Sequence, residues 1–364
     1  MAIQKVPRDP ENLEMLRLYA ALDPVQAVGV GLRDAARVDE FLQRARSSLE
    51  HSVNTPSRLQ GLRAQALFRA TLVALGQFRL LVEEDAGDPY YDDEAGRVSP
   101  PDFRVVDSGS QTLLIEVKSV KLNDPLKPFR LRAGDVEAWR RWGELTDAPV
   151  ALALWWAVPG QWTLTSLDRL RPRGSKLEID LIDAMAANEM SRLGDCLLGT
   201  RPPLVFRLHV KQEDAVDPET SRALVRVTDV DLLAGGRTLE DELERRIASY
   251  FLRFGKWEVE QEPQHGPGGD VVTIDLVARP PVVDDQDAAT QDFASVGMLS
   301  SLYAALFDEA TLSAKGEVDE LDVRPDPGAL AKLIPDDFWD RADRALPLWR
   351  LNIHPVDPDT VGRG

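Results

Sequence analysis

Hydrophobic positions along the chain alternate between a helical period and a strand period. Asp34 precedes Val38, Phe41 and Leu42 on one helical face, and Leu49 continues that face two turns on, so residues 1–56 predict an N-terminal helical region. Thr55-Pro56-Ser57 then opens a longer helix over 58–77. Its apolar residues, among them Leu59, Leu62, Ala66, Phe68, Val73 and Leu75, spread around the axis, which suits a helix buried on more than one side. From there the period falls to two. Residues 78–83 predict a short strand, 84–97 a polar loop, and 101–106 with 112–118 a β-hairpin closed by a Gly-containing turn. A helix over 135–145 and strands over 149–156 and 161–165 complete one α/β unit.

A break is expected at the Arg-Pro-Arg-Gly-Ser run of 171–175, with a second, α+β domain beyond it. That half predicts helices over 178–198, 239–254, 299–306 and 336–345, the second with Thr238 and Asp241 in capping-box spacing. It also predicts strands over 203–210, 223–232, 257–262 and 271–278. The chain therefore divides into 1–56 (helical), 57–171 (α/β) and 172–364 (α+β).

Composition narrows the possibilities. With 43% hydrophobic and 29% charged residues among 364, the chain is an ordinary globular sequence. No apolar run approaches the roughly 18 residues of a membrane span, and the first residues lack a signal peptide's apolar core, so a soluble, cytoplasmic protein is expected. A single cysteine, Cys196, and four scattered histidines exclude an internal disulfide and a Cys- or His-rich metal centre. A metal would have to be held by oxygen, which points to magnesium or manganese. The formal net charge of −18 is unevenly placed: residues 1–160 carry 20 Lys+Arg against 23 Asp+Glu, and the other 204 carry 23 against 38. The first part has room for a basic groove, whereas the second would repel a phosphate backbone and is expected to contact protein. Arginine outnumbers lysine 34 to 9, so each lysine carries more information.

One constellation carries chemistry. Metal-assisted phosphodiester hydrolysis needs two carboxylates converging on the ion and a cation to orient the attacking water. Asp102 lies at the start of the first hairpin strand, 14 residues before Glu116. Glu116 and Lys118 point to one face of their strand while Ile115 and Val117 point to the other. The tripeptide alone is weak, since about one Glu-x-Lys arises by chance in such a chain. Its setting in an apolar strand is more informative, because unpaired burial of charge is costly.

At Pro101-Asp102 and Glu116-Val117-Lys118 the sequence resembles the PD-(D/E)xK nuclease superfamily, whose restriction-endonuclease-like fold has an αβββαβ core. The resemblance covers about residues 58–168. It implies that Asp102 and Glu116 bind Mg2+ or Mn2+ with the Val117 carbonyl as third ligand, and that Lys118 positions the water. Many members add an acidic or amide residue from the first helix, where this chain offers Gln65 and no acidic residue. Lys121, Lys127, Arg130 and Arg132, the densest basic stretch, would contact the phosphates of DNA. The implied activity is that of a metal-dependent endonuclease, in restriction or anti-phage defence, with a protein partner or a second copy docking on the acidic half. The rival reading is a nuclease-fold binding subunit without robust hydrolysis.

Overall fold

The computed structural model describes residues 3, 15–21, 31–84, 89–92, 96–213, 224–281, 293–321, 323 and 325–355. Parts of the expected N-terminal helices, parts of the 84–97 loop, and Ala223 lie outside them. Helices α1 (Met15–Ala21), α2 (Ala35–Val53) and α3 (Pro56–Leu75) come first. Then follow β1 (Phe78–Glu83), β2 (Phe103–Asp107), β3 (Thr112–Val120), β4 (Phe129–Arg132), α4 (Ala133–Leu145), β5 (Val150–Trp156) and β6 (Gln161–Ser166). The second half holds β7 (Arg171–Arg173), β8 (Lys176–Ile179), α5 (Leu181–Ala186), β9 (Leu197–Thr200), β10 (Leu204–Gln212), β11 (Val225–Ala234), β12 (Arg237–Thr238) and α6 (Glu242–Phe254). It ends with β13 (Glu258–His265), β14 (Val271–Arg279), β15 (Ala294–Met298), α7 (Leu299–Thr311), α8 (Ala329–Leu333), α9 (Asp336–Trp339) and β16 (Leu348–Leu351).

The fold is mixed α/β. Its first sheet runs β1-β2-β3-β5-β6. The first three strands form an antiparallel meander, β3 and β5 are parallel, and β5 and β6 are antiparallel. Crossing from β3 to a parallel β5 requires a connection over one sheet face, and that connection contains α4. Helix α3, started by Pro56 and stopped by Gly76 at a left-handed φ of 72°, covers the other face. Strands β3 and β5 are thus apolar on both sides. Ile115, Val117 and Trp155 pack with Phe68 and Leu72 of α3, while Val120, Leu154 and Trp156 pack with Val136 and Trp139 of α4. A second sheet, β12-β11-β10-β14-β13, is wholly antiparallel, so it does not repeat the first.

Several elements differ from the sequence expectation. The expected helix over 178–198 is instead β8, α5, a 3-10 turn and the start of β9. Asp180 caps α5 by accepting from the Asp183 N–H at 2.9 Å, and Asn188 accepts from the Leu164 and Met190 N–H groups, which ends the helical run. Gly194 sits at φ 90°, where a Cβ would run into the Gln77 side chain. Thr238 belongs to β12, and Asp241 is the residue that caps α6, accepting from the Glu244 N–H at 3.0 Å. The helix expected over 336–345 ends at Trp339. On α2, Phe41 is buried but Val38, Leu42 and Leu49 are exposed.

The expected break at 171 coincides with the first residue of β7, and the β7–β8 hairpin pairs onto β4. The halves also share a core. Tyr303, Ala304 and Phe307 of α7 and Leu330 of α8 pack into the cluster formed by α3 and the first sheet. Buried Arg63 of α3 pairs with Asp308, donates to the Thr311 hydroxyl at 3.0 Å and lies over the Phe307 ring. Phe307→Ala should therefore destabilise the chain by about 3–5 kcal/mol. Melting followed by circular dichroism and tryptophan fluorescence should shift as one transition, whereas independent halves would melt separately.

Candidate active site

Register brings the sequence-predicted carboxylates together. Phe103 pairs with Ile115 across the β2–β3 ladder, so continuing the antiparallel register by one places Asp102 opposite Glu116. Phe103 and Ile115 fill the α3-side core. Alternation sends Glu116 and Lys118 to the α4 side, and Asp102, just before β2, reaches both Val117 of β3 and Gln65 of α3. Asp102 accepts the Val117 N–H at 2.7 Å through Oδ2 and the Gln65 amide at 2.6 Å through Oδ1. The Lys118 ammonium donates to Glu116 Oε1 and lies 5.3 Å from the centroid of the Trp139 ring, a cation–π contact. Gln65, Asp102, Glu116 and Lys118 thus meet at one place.

Burial dominates the electrostatics. Glu116 is 5% exposed, and its carboxyl is pushed up to about 7 by burial first and the Asp102 charge second, with Lys118 opposing both. Asp102 is also raised by burial, against the Val117 N–H and Lys118, with Glu83 adding to the rise. Two neighbouring carboxylates raised mainly by burial are a donor set whose charge a divalent cation would offset. Each Asp102 oxygen engages one donor and retains lone-pair capacity for another. Among the described residues no three His, Cys, Asp or Glu side chains form a metal-holding group.

Two neighbours escaped the sequence reading. Glu83, the last residue of β1, raises Asp102 and is ion-paired with Arg69. Arg69 follows Gln65 by four residues, so α3 presents the amide and the guanidinium from one face. That spacing was the available signal. Trp139 is core and also lies against Lys118. The expected phosphate contacts fare unequally. Lys121, Lys127 and Arg132 are exposed, while Arg130 is committed to Glu178 at 2.9 Å.

No family model matches the sequence, and no curated protein does. One matching solved structure is that of Hjc, a Holliday junction resolvase from the archaeal hyperthermophile Archaeoglobus fulgidus. It shares 19% identity, covering 37% of this chain and 99% of that one at a TM-score of 0.30.

The raised Glu116 carboxyl has a consequence for stability. Its folded value of about 7 exceeds its ordinary 4.5, so the native state holds the proton more tightly. The metal-free protein should therefore lose stability as pH rises from about 4.5 to 7 and stay at the lower level above. Asp195, raised to about 6 by burial, acts in the same direction and persists in a Glu116 variant. In EDTA, Glu116→Gln should melt above wild type at pH 8, and the gain should shrink towards pH 5. A variant that melts lower at pH 8 would contradict this assignment.

Proposed function

We propose that the chain is a divalent-metal-dependent nuclease that hydrolyses phosphodiester bonds of DNA, as the PD-(D/E)xK resemblance implies. The observation that carries this reading is the meeting of Asp102 and Glu116 across one ladder with Lys118 on the same face. The element order α3, β1–β2–β3, α4, β5, with β5 parallel to β3, supports it further. Asp102, Glu116 and the Val117 carbonyl would hold Mg2+ or Mn2+. When bound, such an ion lowers the pKa of its water and offsets charge on the phosphate.

The chain's own groups do the rest. Gln65 and the Val117 N–H fix the Asp102 carboxylate, so its orientation is set before substrate arrives. Lys118, steadied between Glu116 and the Trp139 face, supplies the cation that orients the attacking water and meets the negative charge growing on the phosphoryl oxygens. Burial of Glu116 keeps water from screening these interactions. The acidic half is assigned to protein contact, with a second copy or another subunit as its partner. Restriction or anti-phage defence is the setting this reading implies.

Plasmid and single-stranded DNA incubated with Mg2+ or Mn2+ provide the test. Cleavage should be abolished by EDTA, restored by added metal, and reduced at least 100-fold, roughly, by Lys118→Ala. Gln65→Ala should cost less, since Asp102 keeps its backbone bond. Cleavage that persists in EDTA, or in Lys118→Ala, would remove the mechanism. A folded wild type that cleaves nothing would favour the DNA-binding subunit instead.

A further inference from the structure

Residues 171–179 form a hairpin that builds a three-stranded sheet, β4-β8-β7. Its turn is Arg173-Gly174-Ser175-Lys176, with Gly174 at φ 61°, and the Ser175 carbonyl accepts from the Ala133 N–H at 3.1 Å where α4 begins. Two cross-strand rows follow from the register. Arg132 pairs with Lys176 and Lys176 with Arg173, while Arg130 pairs with Glu178 and Glu178 with Arg171. Paired residues, and those two apart, share a face, so five cations lie on one side of this small sheet. They are exposed. Phe129, Leu131, Leu177 and Ile179 form the other side and pack into the cluster that contains Trp139, the ring beside Lys118.

The rows differ in their partners. In the inner row Arg130 is paired with Glu178 at 2.9 Å, and Arg171 with Asp180 at 2.9 Å and Asp183 at 2.5 Å. In the outer row, Arg132, Lys176 and Arg173 have no carboxylate partner among the described residues. Like charges directly opposite one another destabilise a sheet. A chain of net charge −18 has acid to spare for neutralising this row, as it does in the inner one, yet among the described residues no carboxylate pairs with these three cations. Strands about 4.8 Å apart make the row about 10 Å long. That span covers about three steps of about 3.4 Å between successive phosphates of one strand.

We infer that the Arg132–Lys176–Arg173 row binds the phosphate backbone of duplex DNA beside the active site, with Arg130 and Arg171 held back by their carboxylates. The choice of DNA as the polyanion rests on the proposed nuclease function, while the free row rests on the register and the ion pairs. The contact is to phosphate and reads no sequence.

The test uses the full chain and a short mixed-sequence DNA duplex, with affinity measured in EDTA across about 50 to 200 mM salt. Three released phosphate contacts correspond to about 2.7 in the slope of log affinity against log salt. The combined variant Arg132→Gln, Arg173→Gln, Lys176→Gln should lose that slope, so its affinity falls about 40-fold less than wild type over the range. Arg130→Gln should leave the slope unchanged. A control removing three cations from the acidic half, Lys211→Gln, Arg226→Gln and Arg279→Gln, should also leave it unchanged. With like-charge repulsion relieved, the ribbon variant should melt no lower than wild type in DNA-free buffer.

An unchanged slope in the ribbon variant, an equal loss in the control, or no wild-type binding at low salt would overturn the inference. So would a salt-sensitive dimer of the chain, without DNA binding, abolished by the same substitutions. Slope loss in a protein that cleaves nothing would keep this surface and remove the nuclease reading. Metal-dependent cleavage with an unchanged slope would do the reverse.

Discussion

Glu116 sits in the central strand of a sheet that is covered on both faces, and a carboxylate there has to be satisfied without bulk water. Much of the surrounding structure answers that constraint. Lys118 reaches back to Glu116 from two residues along the strand, and Trp139 of α4 braces the ammonium. Asp102 takes the opposing ladder position and is itself held by Gln65 and the Val117 N–H. The two carboxyls remain above their ordinary range even so, because burial outweighs these partners.

The sheet also separates two sets of packed elements. Helices α7 and α8, from the acidic half, pack on the α3 side with Ile115 and Val117. Lys118 faces Trp139 on the α4 side, and the basic β4-β8-β7 sheet packs its apolar back into that same α4-side cluster. Arg63, paired with Asp308 and lying over Phe307, fastens α7 to α3. For a chain of net charge −18, the proposed polyanionic substrate would have its basic contact on the exposed face of the β4-β8-β7 sheet.

The hairpin was legible because its signal is local: period-two alternation, a Gly turn, and a 14-residue offset that becomes a register of opposed residues once the strands pair. Trp155 and Trp156 fell on opposite cores for the same reason. The misreadings share a different cause. Strands β4, β7, β8 and β9 have three or four residues each, too few for a period to show, and their pairing is set by tertiary context. Across 178–198, apolar residues spaced like a helix are divided by Asp180, Asn188 and Gly194, whose roles appear only when their backbone partners are in place. Glu83 gave no signal at all, since its neighbour Asp102 belongs to another strand.

The account stands or falls on whether the carboxylate pair binds a hard divalent ion. Titration of Mn2+ into the metal-free full chain, with free Mn2+ followed by its electron paramagnetic resonance signal, measures this without substrate or turnover. The account predicts saturable binding in wild type that is lost in both Asp102→Asn and Glu116→Gln. Absence of saturable binding in wild type, or equal binding by the two variants, would contradict it.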